Sequence, residues 1–142
     1  MPNLFEITER GSLMSHFTKI QTQLNCLRTI KKVMEELELE ILKDRVLVRG
    51  FGNKQLHSEL VVDTGTGIDI GFSRRKTGYE VIADWEFIER RSQLTQMSFM
   101  ATLRRRYSYH KVLEEVSKAG FTVVEENRED GEGVTLRVRR WV

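Results

Sequence analysis

Arginine beside aromatic side chains is the chemistry this sequence offers most plainly. Arg104, Arg105 and Arg106 run together just ahead of Tyr107 and Tyr109, and Arg137, Arg139 and Arg140 crowd up to Trp141. A guanidinium donates in a planar fork to carboxylates and phosphates and stacks on aromatic faces, so such clusters serve anion recognition, docking on acidic surfaces or nucleic-acid binding. The spacing argues against a single basic stripe. Three consecutive helical arginines fan out over about 200°, and on a strand Arg137 and Arg139 share one face while Arg140 takes the other. Solvated charge that docks an acidic partner is the favoured reading, with nucleic-acid binding as the alternative.

Other reactive residue types are sparse. The three histidines, His16, His57 and His110, lack the i+3, i+4 or HExxH spacing that puts two metal ligands on one helix face. A metal site would require them to converge in space with Asp63, Asp84 or Cys26, and no metal or cofactor is expected. Cys26 is the single cysteine, which excludes an internal disulfide and fits a reducing compartment. It falls at the first turn of an expected helix, where the dipole can lower its pKa, although a partly buried structural thiol is the simpler reading. No Gly-x-Ser-x-Gly elbow and no local Cys–His signature is present. The glycines at Gly65, Gly67 and Gly71 lead into another strand, not a helix or a Gly-Lys-Ser/Thr ending, which favours a hairpin turn over a phosphate loop. Glu35, Glu36, Glu38 and Glu40 read as the solvated face and end of a helix.

Length and composition set the frame for these residues. A chain of 142 residues suits one domain. Hydrophobic residues at 39% and charged residues at 31% exclude a disordered composition. The formal charge of +2 understates the local potential that the clustered arginines create. No apolar run approaches the roughly 20 residues that span a bilayer. Residues 1–13 carry little pattern and no secretory or transit signal, and are read as an N-terminal extension to a single domain over 14–142.

Periodicity then places the elements. A short first strand is expected around Phe17 and Ile20. Asn25 can cap a helix whose Leu27, Ile30, Met34 and Leu37 recur at helical spacing. Residues 41–48, 60–62, 68–72 and 79–82 are β-prone runs between glycine-bearing turns, which describes an antiparallel meander, with Arg74 to Gly78 as one hairpin tip. Asp84 can cap a brief helix from Trp85. A longer helix follows, with Met100, Leu103, Tyr107, Val112, Leu113 and Val116 as its apolar contacts and Gly120 as its stop. Residues 121–126 and 134–141 flank a turn at residues 130–133 and read as a terminal hairpin. The fold class is therefore α+β, a mainly antiparallel sheet with two main helices. Its two helix-then-strand-pair passages raise the idea of duplicated units, and two independent units is the simpler account.

Several dispersed segments occur in a recognisable order: Met14, Ser15, His16, Phe17; Tyr79 to Trp85; Tyr107 to Val112; Gly120 to Val124; and Leu136 to Trp141. In this order the chain resembles the family called hypothetical chloroplast reading frame thirty-five, found in algal plastids and cyanobacteria and known as a domain of unknown function. The resemblance spans 14–141. It implies a chloroplast stromal or cyanobacterial cytoplasmic protein that starts at Met14, and it brings no catalytic residue. It also implies an accessory or assembly role, since members occur near genes for an AAA-type ATPase and small ferredoxin-like proteins. Where the family ends its first helix with glycine, this chain has Glu38. The reading is a non-enzymatic accessory, assembly or regulatory protein that binds a larger partner through a sheet edge or its arginine surface. A nucleic-acid module and a small metal or small-molecule enzyme are the alternatives.

Overall fold

The apolar spacing of the first helix becomes its buried face. In the computed structural model, which describes residues 17–43, 46–50, 55–128 and 134–140, helix α1 (Leu27–Glu36) buries Ile30, Val33 and Met34 and turns Lys31, Lys32, Glu35 and Glu36 outward. The expectations that fell on residues 1–13, His16, the turn at 130–133 and Trp141 lie outside the described residues.

Both ends of α1 hold surprises. Asn25 does not cap it: the N-cap is Cys26, with no side-chain cap bond, and the backbone N–H groups of Asn25 and Cys26 instead donate to the Tyr107 hydroxyl at 3.2 and 3.0 Å. A buried tyrosine 81 residues away thus anchors the chain where it enters the helix. At the other end, Glu38 N–H donates to Glu35 O at 2.9 Å and Leu39 N–H to Met34 O at 3.0 Å, the paired bonds of a Schellman stop. That motif needs a left-handed residue at its pivot, and Glu38 supplies it at φ 60°. The first helix-to-strand turn therefore keeps the glycine-type geometry without the glycine. Because Glu38 is exposed and a β-carbon is disfavoured in this region, Glu38→Gly is expected to raise stability by about 1 kcal/mol, read as a higher urea midpoint with unchanged slope.

Five strands form the main antiparallel sheet, in the order β1 (Thr18–Gln21), β7 (Tyr79–Ala83), β6 (Asp69–Arg74), β5 (Leu60–Asp63), β2 (Glu40–Ile41). Alternation assigns its two faces. Leu60, Val62, Ile70, Phe72, Tyr79, Val81 and Ala83 point to the helices and join Ile30, Met34, Phe99 and Leu103 in the core. The opposite face carries Val61, Asp69, Gly71 and Ile82, all buried. Over β6 on this face lies a second layer not legible in the sequence, the two-stranded ribbon β3 (Leu47–Arg49) with β4 (Gln55–His57). A β-carbon at Gly71 would stand 2.2 Å from Val48 Cγ2 and 2.5 Å from Ser58 Oγ, so the absent side chain is what lets the ribbon lie flat there.

The expected single strand over 41–48 is thus two short strands in different sheets. Leu42 N–H still bonds Val61 O at 2.9 Å on the main sheet, whereas Val48 is fully buried on the reverse face. One continuous strand cannot serve both faces. The ribbon is pinned by Arg49, whose backbone N–H, Nε and Nη2 donate to the fully buried Asp69 carboxylate at 2.8, 3.0 and 2.7 Å.

Helix α2 (Trp85–Arg91) starts as expected, with the Asp84 carboxylate accepting from Phe87 N–H. Helix α3 (Gln96–Lys118) has 23 residues, about 34 Å at 1.5 Å per residue. Its first half buries Phe99, Met100, Leu103 and Tyr107 in the core, with Phe99 against Trp85 and Phe72. Its second half buries none and passes through Gly120, at φ 86°, into the hairpin of β8 (Phe121–Arg128) and β9 (Val134–Arg140). After α1, β2, β5, β6 and β7 join the main sheet, whereas β8 and β9, like β3 and β4, pair only with each other. No helix among the described residues is long and apolar enough to cross a membrane.

Candidate docking surface

The six described arginines of the two clusters divide by partner. Arg106 is drawn inward, donating to Glu36 Oε1 on α1 at 3.0 Å with its guanidinium 5.0 Å from the centre of the Tyr109 ring. Arg137 donates to Glu125 across the hairpin at 3.0 Å, and Arg140 lies 5.6 Å over the Phe121 ring. Arg104, Arg105 and Arg139 are exposed and have no carboxylate partner among the described residues. Arg105 reaches only the Thr102 hydroxyl, at 3.5 Å. Trp141 lies outside the described residues.

One of the three uncommitted arginines, Arg105, borders an apolar groove. Arg105, Ser108, Tyr109 and Val112 recur at i, i+3, i+4 and i+7, one face of α3, and this face looks across a cavity of about 200 Å³ at Val134 and Leu136 of β9. The register explains why β9 presents those residues. Val134, Leu136, Val138 and Arg140 alternate onto the helix side, while Thr135, Arg137 and Arg139 turn outward. Opposite them, a bulge between Val123 and Glu125 shifts the strand so that Glu126 faces α3, where its carboxylate accepts a hydrogen bond from the Tyr109 hydroxyl. The groove is only partly filled: Val112 remains 48% and Val138 38% exposed. The apolar face that Val134, Leu136 and Val138 share is therefore only half covered.

A second cluster, missed in the sequence, locks the root of this arm. Glu36 Oε2 lies 2.7 Å from His110 Nε2 while Oε1 takes Arg106, so one carboxylate at the end of α1 clamps two successive turns of α3. Burial acts to raise the pKa of Glu36, but the bonds and charges of Arg106 and His110 outweigh it and hold it below the ordinary 4.5. A folded pKa below the unfolded one adds stability above that pH and gives it up as pH falls through the folded value. Glu36→Gln should thus cost about 1 kcal/mol at neutral pH, with the deficit relative to wild type shrinking as the pH falls below the ordinary carboxylate range, in unfolding curves at successively lower pH. No i+4 pattern announces the clamp, because its members are 70 and 74 residues apart.

The remaining candidates separate. His57 is exposed on β4 and His110 is spent on Glu36, and no group of three His, Cys, Asp or Glu residues stands ready for a metal among the described residues. Cys26 has its pKa lowered, first by the hydrogen bond from the Thr29 hydroxyl at 3.2 Å, against the opposing effect of burial. Gly65 and Gly67 sit at φ 82° and 100° in the β5–β6 turn, with Thr64 and Asp63 side chains bonding within it, so the glycines serve a hairpin.

Comparison with known proteins gives one consistent result. The sequence pattern of a family described as a protein of unknown function, DUF1257, matches residues 33–137. The chain is also similar to proteins named "Uncharacterized protein ycf35": 29% identical to that of Guillardia theta, 26% to that of Cyanophora paradoxa and 28% to that of Pyropia yezoensis. Each match covers 90% of this chain and 98% of the relative. No solved structure matches.

Proposed function

This chain belongs to the DUF1257 family, whose plastid-encoded relatives share it nearly end to end, and on that premise we propose that it is a non-enzymatic accessory or assembly protein that docks on a larger partner. The observation that carries the reading is the α3–hairpin arm, where an apolar groove edged by Arg105 shares the arm with the exposed Arg104 and Arg139, and none of the three arginines has a carboxylate partner among the described residues. Exposed aliphatic surface edged by arginine is the composition of a protein-binding patch, where the apolar part supplies affinity and the charges select an acidic partner. The working site is the chloroplast stroma or the cyanobacterial cytoplasm, and the AAA-type ATPase implied by the resemblance is the first partner to assay.

Tagged protein recovered from native extract separates this reading from nucleic-acid binding. A protein partner that survives nuclease treatment, and is lost when Arg104, Arg105 and Arg139 are reversed to glutamate, supports docking. Recovery that disappears with nuclease and weakens steeply and linearly in log salt would replace it with the nucleic-acid reading.

A further inference from the structure

We propose that the free edge of β9 receives an extended segment of a partner protein, alternating apolar and acidic side chains, as a third strand of the terminal hairpin. The inference rests on the docking reading and names its mode and chemistry.

A two-stranded ribbon is marginal by itself, and an open edge of seven residues leaves every second N–H and C=O turned away from its neighbour. Edges left open are usually shortened or bent away. β9 is neither: it pairs with β8 through seven successive partner positions, and the one register shift lies in β8. Its far edge faces no other strand among the described residues.

The side chains beside that edge specify what fits. On the helix side, Val134 and Leu136 look across the groove to Tyr109 and Val112, and the partly exposed Val138 continues their face of β9, so inward positions of an added strand must be apolar. On the outer side stand Arg137 and Arg139. The existing neighbour strand shows their preference, since β8 sets Glu125 opposite Arg137 at 3.0 Å, but it sets only Thr122 opposite Arg139. An acidic residue arriving from the open side would meet Arg139, and a basic one would meet two like charges. A second copy of β9 in the same place would bring arginine against arginine, so charge complementarity selects an acidic strand from a different protein. Alternate apolar and acidic residues along one strand satisfy both faces at once, as β-augmentation requires.

The test uses a display library of random ten-residue peptides selected on the immobilised full chain. Selected binders should alternate apolar and acidic residues, protect β9 amides from hydrogen exchange, and weaken at least about tenfold with Arg139→Glu. Val112→Trp, which fills the groove from α3, should weaken them similarly while leaving the thermal midpoint in place. Binders that are amphipathic helices, or that leave β9 amides exchanging freely, would overturn strand addition while the docking reading stood. Absence of any binder sensitive to either substitution would overturn strand addition; the docking reading itself would fall only if the native partner were also retained by the Arg104, Arg105 and Arg139 reversal.

Discussion

Replacing Asp69 with alanine is expected to destabilise the protein by about 3 kcal/mol, because a buried ion pair that loses one member strands the other. Its carboxylate is fully buried and receives three donors from Arg49, including the backbone N–H that fixes the end of β3. Arg49 is one-third exposed and keeps Asp63 at 3.5 Å, which places the cost at the low end of the usual range. Replacing both members, Asp69→Leu with Arg49→Met, should recover most of the loss, since apolar isosteres avoid desolvating either charge. Urea unfolding of the two variants checks both statements. A single variant as stable as wild type would mean that the β3–β4 ribbon is not held by this pair.

Reversing Arg104, Arg105 and Arg139 together to glutamate should leave folding intact and weaken partner binding about a hundredfold. None of the three makes an ion pair among the described residues, so the folded state loses little. The like-charge repulsion falls instead on the acidic partner. Arg106 and Arg140 belong in the control: their guanidinium groups are engaged with Glu36 and the Phe121 ring, and their substitution should reduce stability before it reduces binding. Thermal unfolding alongside quantitative co-purification separates the two sets. Equal binding losses for both sets, with no difference in stability, would show that the division by partner carries no functional meaning.

Those two sets could not be told apart in the sequence. Contiguous arginines with neighbouring aromatics drew attention to α3 and its hairpin, and alternation correctly put Arg137 and Arg139 on one face and Arg140 on the other. What periodicity does not encode is which distant carboxylate arrives. Glu36 looked like part of a solvated helix face and His110 like an isolated histidine, and only the packing of α1 on α3 brings them together. Local signals were read well where the physics is local: the Asp84 cap, the Gly120 stop and the helical spacing of Ile30 and Met34. They failed where a long-range contact overrode them. Tyr107 replaced Asn25 as the anchor of α1, and the reverse face of the sheet drew residues 47–49 out of the strand that begins at Glu40. Asp69 had no reader at all, since a single acid within a β-run does not declare whether it is buried.

The central claim is that this protein works while bound to another, through the arm formed by α3 and its hairpin. The most direct measurement is its native size in extract of the organism that makes it, for wild type and for the Arg104, Arg105 and Arg139 reversal side by side. Docking predicts that nuclease-treated wild type migrates well above its 16.7 kDa and that the reversal variant falls to the size of a free monomer. Migration of both as free monomers of that mass would contradict it.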